Sequence, residues 1–293
     1  MIATTRSIAR HRLRSRRRAW LPPLLGLLCA MPARADDTSW HLQLSGEWSA
    51  PGGWVQVREN DIQGTRLHLS DDLDVNDMQT IRLQAWKSFS DGGELHLGFA
   101  THQLQGRSST DVPVYFNGTT VAPGRLDTAT HFQDFIAFDA SYWHRLVDVG
   151  RGGSLYGSVG ATYVMLNFVV HGTLAAGSVG NELKEDFYVQ ELPVPIFGLH
   201  LRYPLGGQLR FTADASWGRL PWVNSFRTEG GEVKTAQTHW EAVLGLEYTL
   251  SPRWKLAGYV FHRYYAQDES SHEDGNQISL ATNGGGLGVT YQF

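Results

Sequence analysis

Cysteine is almost missing from this chain: Cys29 is the only one in 293 residues. No intrachain disulfide can form, and thiol chemistry has a single address. Long apolar runs are missing too. No uninterrupted stretch of about 18 apolar residues occurs, which excludes a bundle of membrane-spanning helices. Positive charge is scarce beyond the first 35 residues. Of 25 Lys and Arg, eight arginines precede Asp36, where there is no acid, so the remainder sets 17 basic against 29 acidic residues. That excess of negative charge excludes nucleic acid as a partner, whose phosphates would be repelled. What the chain does have is 32 Gly, 10 Trp, 11 Tyr and 13 Phe. Such a composition suits antiparallel strands with aromatic girdles, or a secreted β-sandwich.

The N-terminal segment has its own logic. Arg6, Arg10, Arg12, Arg14, Arg16, Arg17 and Arg18 precede an apolar run from Ala19 to Met31, followed by Ala33-Arg34-Ala35. Basic, then apolar, then small is the order of a secretory signal peptide, and the run is too short to span a bilayer as a helix. Cleavage is expected before Asp36, giving residues 1–35 as signal peptide and 36–293 as one domain. Cys29 would leave with the signal. Leu28 stands where a lipoprotein signal needs a small residue. The Arg-Arg pairs suggest a twin-arginine signal, but a chain delivered unfolded favours the general secretory route.

Alternation with period two dominates the rest. Trp40, Leu42, Leu44, Gly46 and Trp48 share one face, against His41, Gln43, Ser45 and Glu47. Ile81, Leu83, Ala85 and Phe89 oppose Arg82, Gln84 and Ser88, with Trp86 and Lys87 out of phase. Leu95, Leu97 and Phe99 oppose Glu94, His96, Gly98 and His102. Leu209, Phe211, Ala213, Ala215 and Trp217 oppose Gln208, Arg210, Thr212, Asp214 and Ser216. Trp240, Ala242, Leu244, Leu246, Tyr248 and Leu250 oppose His239, Glu241, Gly245, Glu247 and Thr249. Segments 131–146, 153–170, 186–203 and 253–266 are less tidy, and a final strand covers 279–293. The count is ten.

Connection lengths then alternate. Short turns fall at Ser90-Asp91-Gly92-Gly93, 146–152, Leu205-Gly206-Gly207 and Ser251-Pro252-Arg253, and long polar loops at 49–78, 105–130, 171–185, 220–236 and 267–278. A soluble sandwich has no reason to alternate in this way; a transmembrane barrel does. The closing segment Gly286-Leu287-Gly288-Val289-Thr290-Tyr291-Gln292-Phe293 resembles the C-terminal targeting strand of bacterial outer-membrane β-barrels, through its glycines, the aromatic two places before the end and the final Phe. The resemblance implies an all-β, closed antiparallel up-and-down transmembrane β-barrel in the outer membrane. Its partners would be membrane lipid, lipopolysaccharide and the barrel-insertion machinery. Ten strands are expected, with eight or twelve as alternatives because residues 53–69 could hold an extra hairpin.

A ten-stranded cylinder is little wider than one its own side chains fill. Glu47, Arg82, Glu94, His96, Arg210, Asp214, Glu241 and Glu247 are therefore expected to form an ion-paired plug rather than line a wide pore. Histidines are plentiful. His102, His131, His171, His239, His262 and His272, with Asp134, Glu241, Asp268 and Glu273 nearby in sequence, could supply a general base at a rim. Ser270-Ser271-His272-Glu273-Asp274 holds all three triad residue types, but neighbours on one loop do not converge on one proton. Neither the His-x-Ser of lipid A deacylases (Tyr264 follows His262) nor the acid pair and Asp–His of omptin proteases is found, so these histidines read as solvated or structural. Asp72, Asp74 and Asn76 copy the first half of a calcium loop, yet Leu83 stands at the twelfth place, so the tract reads as a solvated acidic loop.

Pro193 and Pro195 interrupt a strand; they mark its outer end or, alternatively, a lateral opening for lipid. Trp143, Trp217, Trp240 and Trp254 are expected in interfacial girdles. No catalytic, cofactor-binding or metal residue is assigned, and the expected function is a structural, adhesive or narrow-transport barrel with a plugged polar lumen. An enzyme acting on lipid A or surface peptides through a rim His and carboxylate, and a solute channel or polysaccharide-export component, stay open.

Overall fold

A computed structural model describes residues 39–59, 62–150, 152–176, 184–186, 192–228, 232–272 and 274–293. The expected signal peptide, residues 1–35, lies outside the described residues, as does much of the loop at 171–185. Ten long strands make the wall: β1 (Trp40–Glu59), β2 (Met78–Ser88), β3 (Gly93–Thr110), β4 (Phe135–Val149), β5 (Gly153–Leu174), β6 (Val194–Gly206), β7 (Leu209–Thr228), β8 (Glu232–Thr249), β9 (Trp254–Ser270) and β10 (Asp274–Gln292). Each pairs antiparallel with the next. The ring closes where β10 pairs with β1, from His41↔Gln292 to Glu59↔Asp274. Among the described residues the ring of ten strands has no open edge, so backbone groups that a bilayer could not satisfy pair across the ladders.

Parity sorts the side chains as the alternation requires. His41, Ser45 and Glu47 are buried inside, while Leu44 and Trp48 on the same strand stand exposed outside. Around the cylinder the outward set includes Leu83, Leu97, Phe138, Val159, Leu199, Leu244, Val260 and Leu287, an apolar belt with Trp40, Tyr142, Trp217, Trp240 and Trp254 among its aromatics. The two residues out of phase in β2 are explained. Trp86 points inward, and Lys87 points outward with its ammonium 5.6 Å from the Trp40 ring and 5.5 Å from Phe89, in the manner of a snorkelling interfacial lysine.

The four short turns join strands where expected. Gly206 and Gly207 both have positive φ, 117° and 58°, which only glycine adopts without strain. The other end differs from expectation. Residues 220–236 and 267–278 are not long loops, because β7 runs on to Thr228, β8 begins at Glu232, β9 reaches Ser270 and β10 starts at Asp274. Segment 105–130 is largely strand as well. Residues Thr119–Thr130 insert between β3 and β5, and Val114–Phe116 folds back on them. Of 49–78, Ile62–Gln63 and Leu67–His68 pair back on β1, so this stretch holds no extra barrel hairpin.

These extensions share one physical cause. Alternation continues along each strand, but its phase inverts. The inward face of β5 reads Ser154, Tyr156, Ser158 and Thr162, and then Val164, Leu166, Phe168 and Val170, all four buried. β10 does the same from Thr290 and Thr282 to Leu280 and Ile278. Above the apolar belt the outside meets water, so the inside becomes the core. Val55, Val57, Leu104, Val114, Phe116, Val121 and Leu126 join it, with Leu67, Leu69, Leu73 and Val75 closing it from the folded-back segment. One cylinder thus has a polar lumen at the short-turn end and an apolar cap at the other.

Candidate functional site

The polar half of the lumen is built from ion pairs spanning strands. Glu47 on β1, 1% exposed, accepts from Arg82 Nε on β2 at 3.1 Å, from Arg263 Nη1 and Nη2 on β9 at 2.6 and 3.1 Å, and from the Tyr259 hydroxyl at 2.8 Å. Arg263 also donates to Glu241 on β8. β1 and β9 are separated by β10, so the Arg263–Glu47 bonds skip a strand and the group as a whole spans the arc from β8 to β2. A carboxylate so deep is tolerable only with its lone pairs filled by charged donors.

Nearer the short turns lies a second group. Arg202 on β6 donates to both oxygens of Glu94 on β3 at 2.7 and 2.8 Å, a bidentate pair across β4 and β5, and His96 Nε2 lies 2.8 Å from the same carboxylate. Arg210 and Lys255 share Glu247, at 3.2 and 3.5 Å. Between the pairs runs a stack of five rings: His41, Trp86, His96, Trp143 and His200. Their centroids are 4.8, 5.7, 3.9 and 3.4 Å apart and their planes within 14° of parallel. Parity places these rings inside, and the stack locks the planes of three imidazoles.

At the end of the stack, His200 carries two further bonds. Its Nδ1 is 2.9 Å from Asp214 Oδ1 on β7, and its Nε2 is 2.9 Å from Ser158 Oγ on β5. Asp214 is its partner in register and Ser158 its diagonal neighbour. With the carboxylate accepting from Nδ1–H, Nε2 is left as the acceptor for the serine hydroxyl. Two cavities meet here. The lower, about 310 Å³, is lined by His41, Glu94, Arg210, Asp214, Glu247 and Lys255 and reaches the short-turn end. The upper, about 230 Å³, is lined by Ser158 and Ser216 and roofed by cap residues Met78, Phe135, Val164 and Leu280. His200, Trp143, Arg82, Glu241 and Arg263 line both.

All eight residues expected in the plug face inward, seven of them in the pairs above and Asp214 on His200. The rim histidines are not brought together. His102 bonds Thr80 at 2.7 Å inside the lumen, and His239 bonds Gln237 at 3.2 Å. His262 faces outward, stacked 4.4 Å from Trp240 and 2.5 Å from Asn283. His131 pairs with Asp134 at 3.2 Å in an exposed turn, and His171 lies opposite Asp127. His272 is exposed, Glu273 lies outside the described residues, and Asp268 on β9 faces Ala236 and Gln277 across the ladder.

The acidic tract is the outer surface of the cap. Asp71, Asp72, Asp74 and Asn76 are exposed while Leu73 and Val75 point into the core. Asp72 accepts from the His68 amide at 2.7 Å and Asp74 from the Asn76 side chain at 2.5 Å, and among the described residues no three acids or histidines gather as a metal site. Trp217, Trp240 and Trp254 face outward as expected, but Trp143 does not: it shares the inward face of Asp139 and Ser141. Pro195 sits at the long-loop end of β6, paired with Ala161, and the ladder continues unbroken to Arg202↔Ser154. Among the described residues the wall shows no lateral opening there.

The sequence reading missed Arg202, Arg263, Lys255, Ser158 and the role of His200. All lie in the four untidy segments. The available signal was parity: Ser158 and His200 alternate with outward Val159 and Leu199.

Among solved structures, the outer-membrane protease OmpT from Escherichia coli superposes with a TM-score of 0.51 at 13% identity, covering 90% of this chain and 99% of that one. The chain has the fold of bacterial outer-membrane β-barrels. The translocator domain of the autotransporter NalP from Neisseria meningitidis is a more distant likeness, with a TM-score of 0.41 and 17% identity over 86% of this chain and 88% of that one. No family model and no curated protein matches the sequence. The likeness to the protease is one of fold alone.

Proposed function

We propose that this barrel resides in a bacterial outer membrane with its short turns in the periplasm and its capped end outside. There it serves as a non-conducting structural barrel that presents a folded extracellular crown. One observation carries this reading: the Glu47–Arg82–Arg263–Glu241 group projects into the lumen from the β8–β2 arc beneath an apolar cap that closes the other end. An ion would have to break paired charges and then cross a dry core, and each step is costly. The belt supports the membrane placement, and tight turns at one end against strands and segments that extend into a folded cap at the other support the orientation. Exposed Ile62, Val112, Tyr115 and Trp222 on the crown give it apolar surface suited to adhesion.

Export with loss of residues 1–35, contact of the belt with lipid and lipopolysaccharide, and recognition of the closing strand by the insertion machinery belong to the same proposal. The test is conductance. The protein, refolded in detergent and shown by heat-modifiable gel migration to be a barrel, is added to planar bilayers. Insertion without lasting current steps is expected. Steady ohmic steps from a homogeneous preparation would remove the plug from the account.

A further inference from the structure

The line from Ser158 through His200 to Asp214 is not needed to seal the lumen. Its surroundings are informative. Residue 198, directly opposite Ser158 on β6, is glycine. A Cβ there would lie 2.6 Å from Ser158 Oγ and 2.7 Å from His200 Nε2. On the far side of this glycine, Ser216 is its partner in register and lines the same upper cavity. A histidine kept only for packing needs its two nitrogens satisfied and gains nothing from a bare wall beside Nε2. Acyl transfer needs that wall: a nucleophile, a base, a carboxylate that orients the base, and a place for the reacting carbon within about 3 Å of the nucleophile. Trp143, stacked on the imidazole at 3.4 Å, fixes the plane in which the proton moves.

We propose that Ser158 is the nucleophile of a lumenal acyl-transfer site, with His200 as general base and Asp214 as its orienting carboxylate, acting on small carboxylic esters. The size follows from the upper chamber of about 230 Å³ and from the ladders that flank Gly198 and His200, continuous from Ile196 to Pro204 towards β7 and from Val194 to Arg202 towards β5, which keep lipid chains out. The preference for esters with good leaving groups follows from the wall. Strand amides are committed to the ladder, so no backbone pair is free to hold an oxyanion, and the Ser216 hydroxyl is the donor at hand. The route is the lower cavity, whose lining shares His200, His96 and Trp143 with the chamber.

The step balances with water as the only co-reactant. Ser158 Oγ bonds to the ester carbonyl carbon as its proton passes to Nε2 of His200. The carbon–alkoxy bond breaks, and the leaving oxygen takes that proton and departs as alcohol. Water then adds to the acyl carbon, giving a proton to His200. The bond to Oγ breaks, the proton returns to Ser158, and a carboxylic acid is released.

The experiment treats the folded full barrel in detergent with an alkyl fluorophosphonate, which would form an Oγ–phosphorus bond and release fluoride, followed by intact mass and peptide mapping. One adduct on Ser158 is expected, with none in Ser158→Ala. His200→Gln and Asp214→Asn should slow labelling by about 100-fold or more, and Gly198→Ala should block it by filling the reacting position, all with heat-modifiable migration retained. p-Nitrophenyl acetate should be hydrolysed by the native chain and not by Ser158→Ala. A folded native barrel that takes no label, an adduct on another residue, or ester hydrolysis unchanged in Ser158→Ala would overturn the proposal. Should a variant fail to fold, the mapped adduct on the native chain decides alone. Conductance does not enter this test, so it can fail while the plug stands.

Discussion

Glu47 is the residue on which the lumen turns. It sits in mid-barrel, sealed from water, holding two guanidinium groups and a phenol. Removing it takes from Arg82 the carboxylate it donates to and leaves Arg263 with Glu241 alone in a narrow interior. Glu47→Ala is expected to cost about 3–5 kcal/mol, read from urea unfolding of the barrel in lipid vesicles, and a loss below about 1 kcal/mol would show that the pairs are ornamental. On the crown the electrostatics are gentler. The Arg125 side chain, and then Arg107, hydrogen-bond Asp127 and hold its carboxyl below the ordinary carboxylate value. Its contribution is therefore complete above the unfolded pKa and lost as pH falls through the lower folded value. A carboxyl-carbon NMR titration should show Asp127 still ionised where free carboxylates have begun to protonate, and a midpoint at or above the ordinary value would contradict the pairing. At this scale the sequence was legible where a charge fell on the polar face of a clean strand. It was illegible for Trp143, because an aromatic reads as membrane girdle unless its parity is known.

Strands carry a different lesson. The five tidy segments could be read because lipid outside and polar lumen inside hold one phase of alternation throughout. Above the belt both environments change at once, so β5 keeps its period while exchanging its apolar face. A reading that looks for one apolar stripe sees the phase change as the end of the strand and writes a loop. That is why 220–236 and 267–278 appeared as loops. The cap is legible afterwards in Leu67, Leu69, Leu73 and Val75, which alternate with exposed partners inside a tract that looks merely acidic. Phe116, fully buried and 6.4 Å from Phe168, is its largest anchor from the folded-back hairpin. Phe116→Ala is expected to cost about 3–5 kcal/mol, measured by the same unfolding assay. A change within experimental error would mean that the hairpin does not pack in the folded barrel.

For the whole molecule, the ten-strand count, closure and the short turns at one end were all legible, because they follow from chain-wide regularities that no single residue can upset. The lumenal serine, histidine and aspartate were not: they lie 42 and 14 positions apart in the sequence, and only the register of three neighbouring strands makes them one group. The belt makes a simple prediction. Leu287, 68% exposed and among the outward residues of β10, faces hydrocarbon, so Leu287→Arg should destabilise the inserted barrel by about 2–4 kcal/mol. The same change in a soluble sheet would be nearly neutral.

The most direct measurement uses the scarcity of cysteine. With Cys29→Ser as background, single cysteines from 276 to 291 on β10 are spin-labelled in vesicles, and their access to oxygen and to a water-soluble relaxation agent is compared. Lipid exposure should peak at 285, 287, 289 and 291 and vanish at 286, 288 and 290. Towards the capped end, odd positions such as 277 should turn to water while 278 and 280 become inaccessible to both agents. Absence of a two-residue period, or water access at 278 and 280, would contradict a closed cylinder that inverts its polarity where it leaves the membrane.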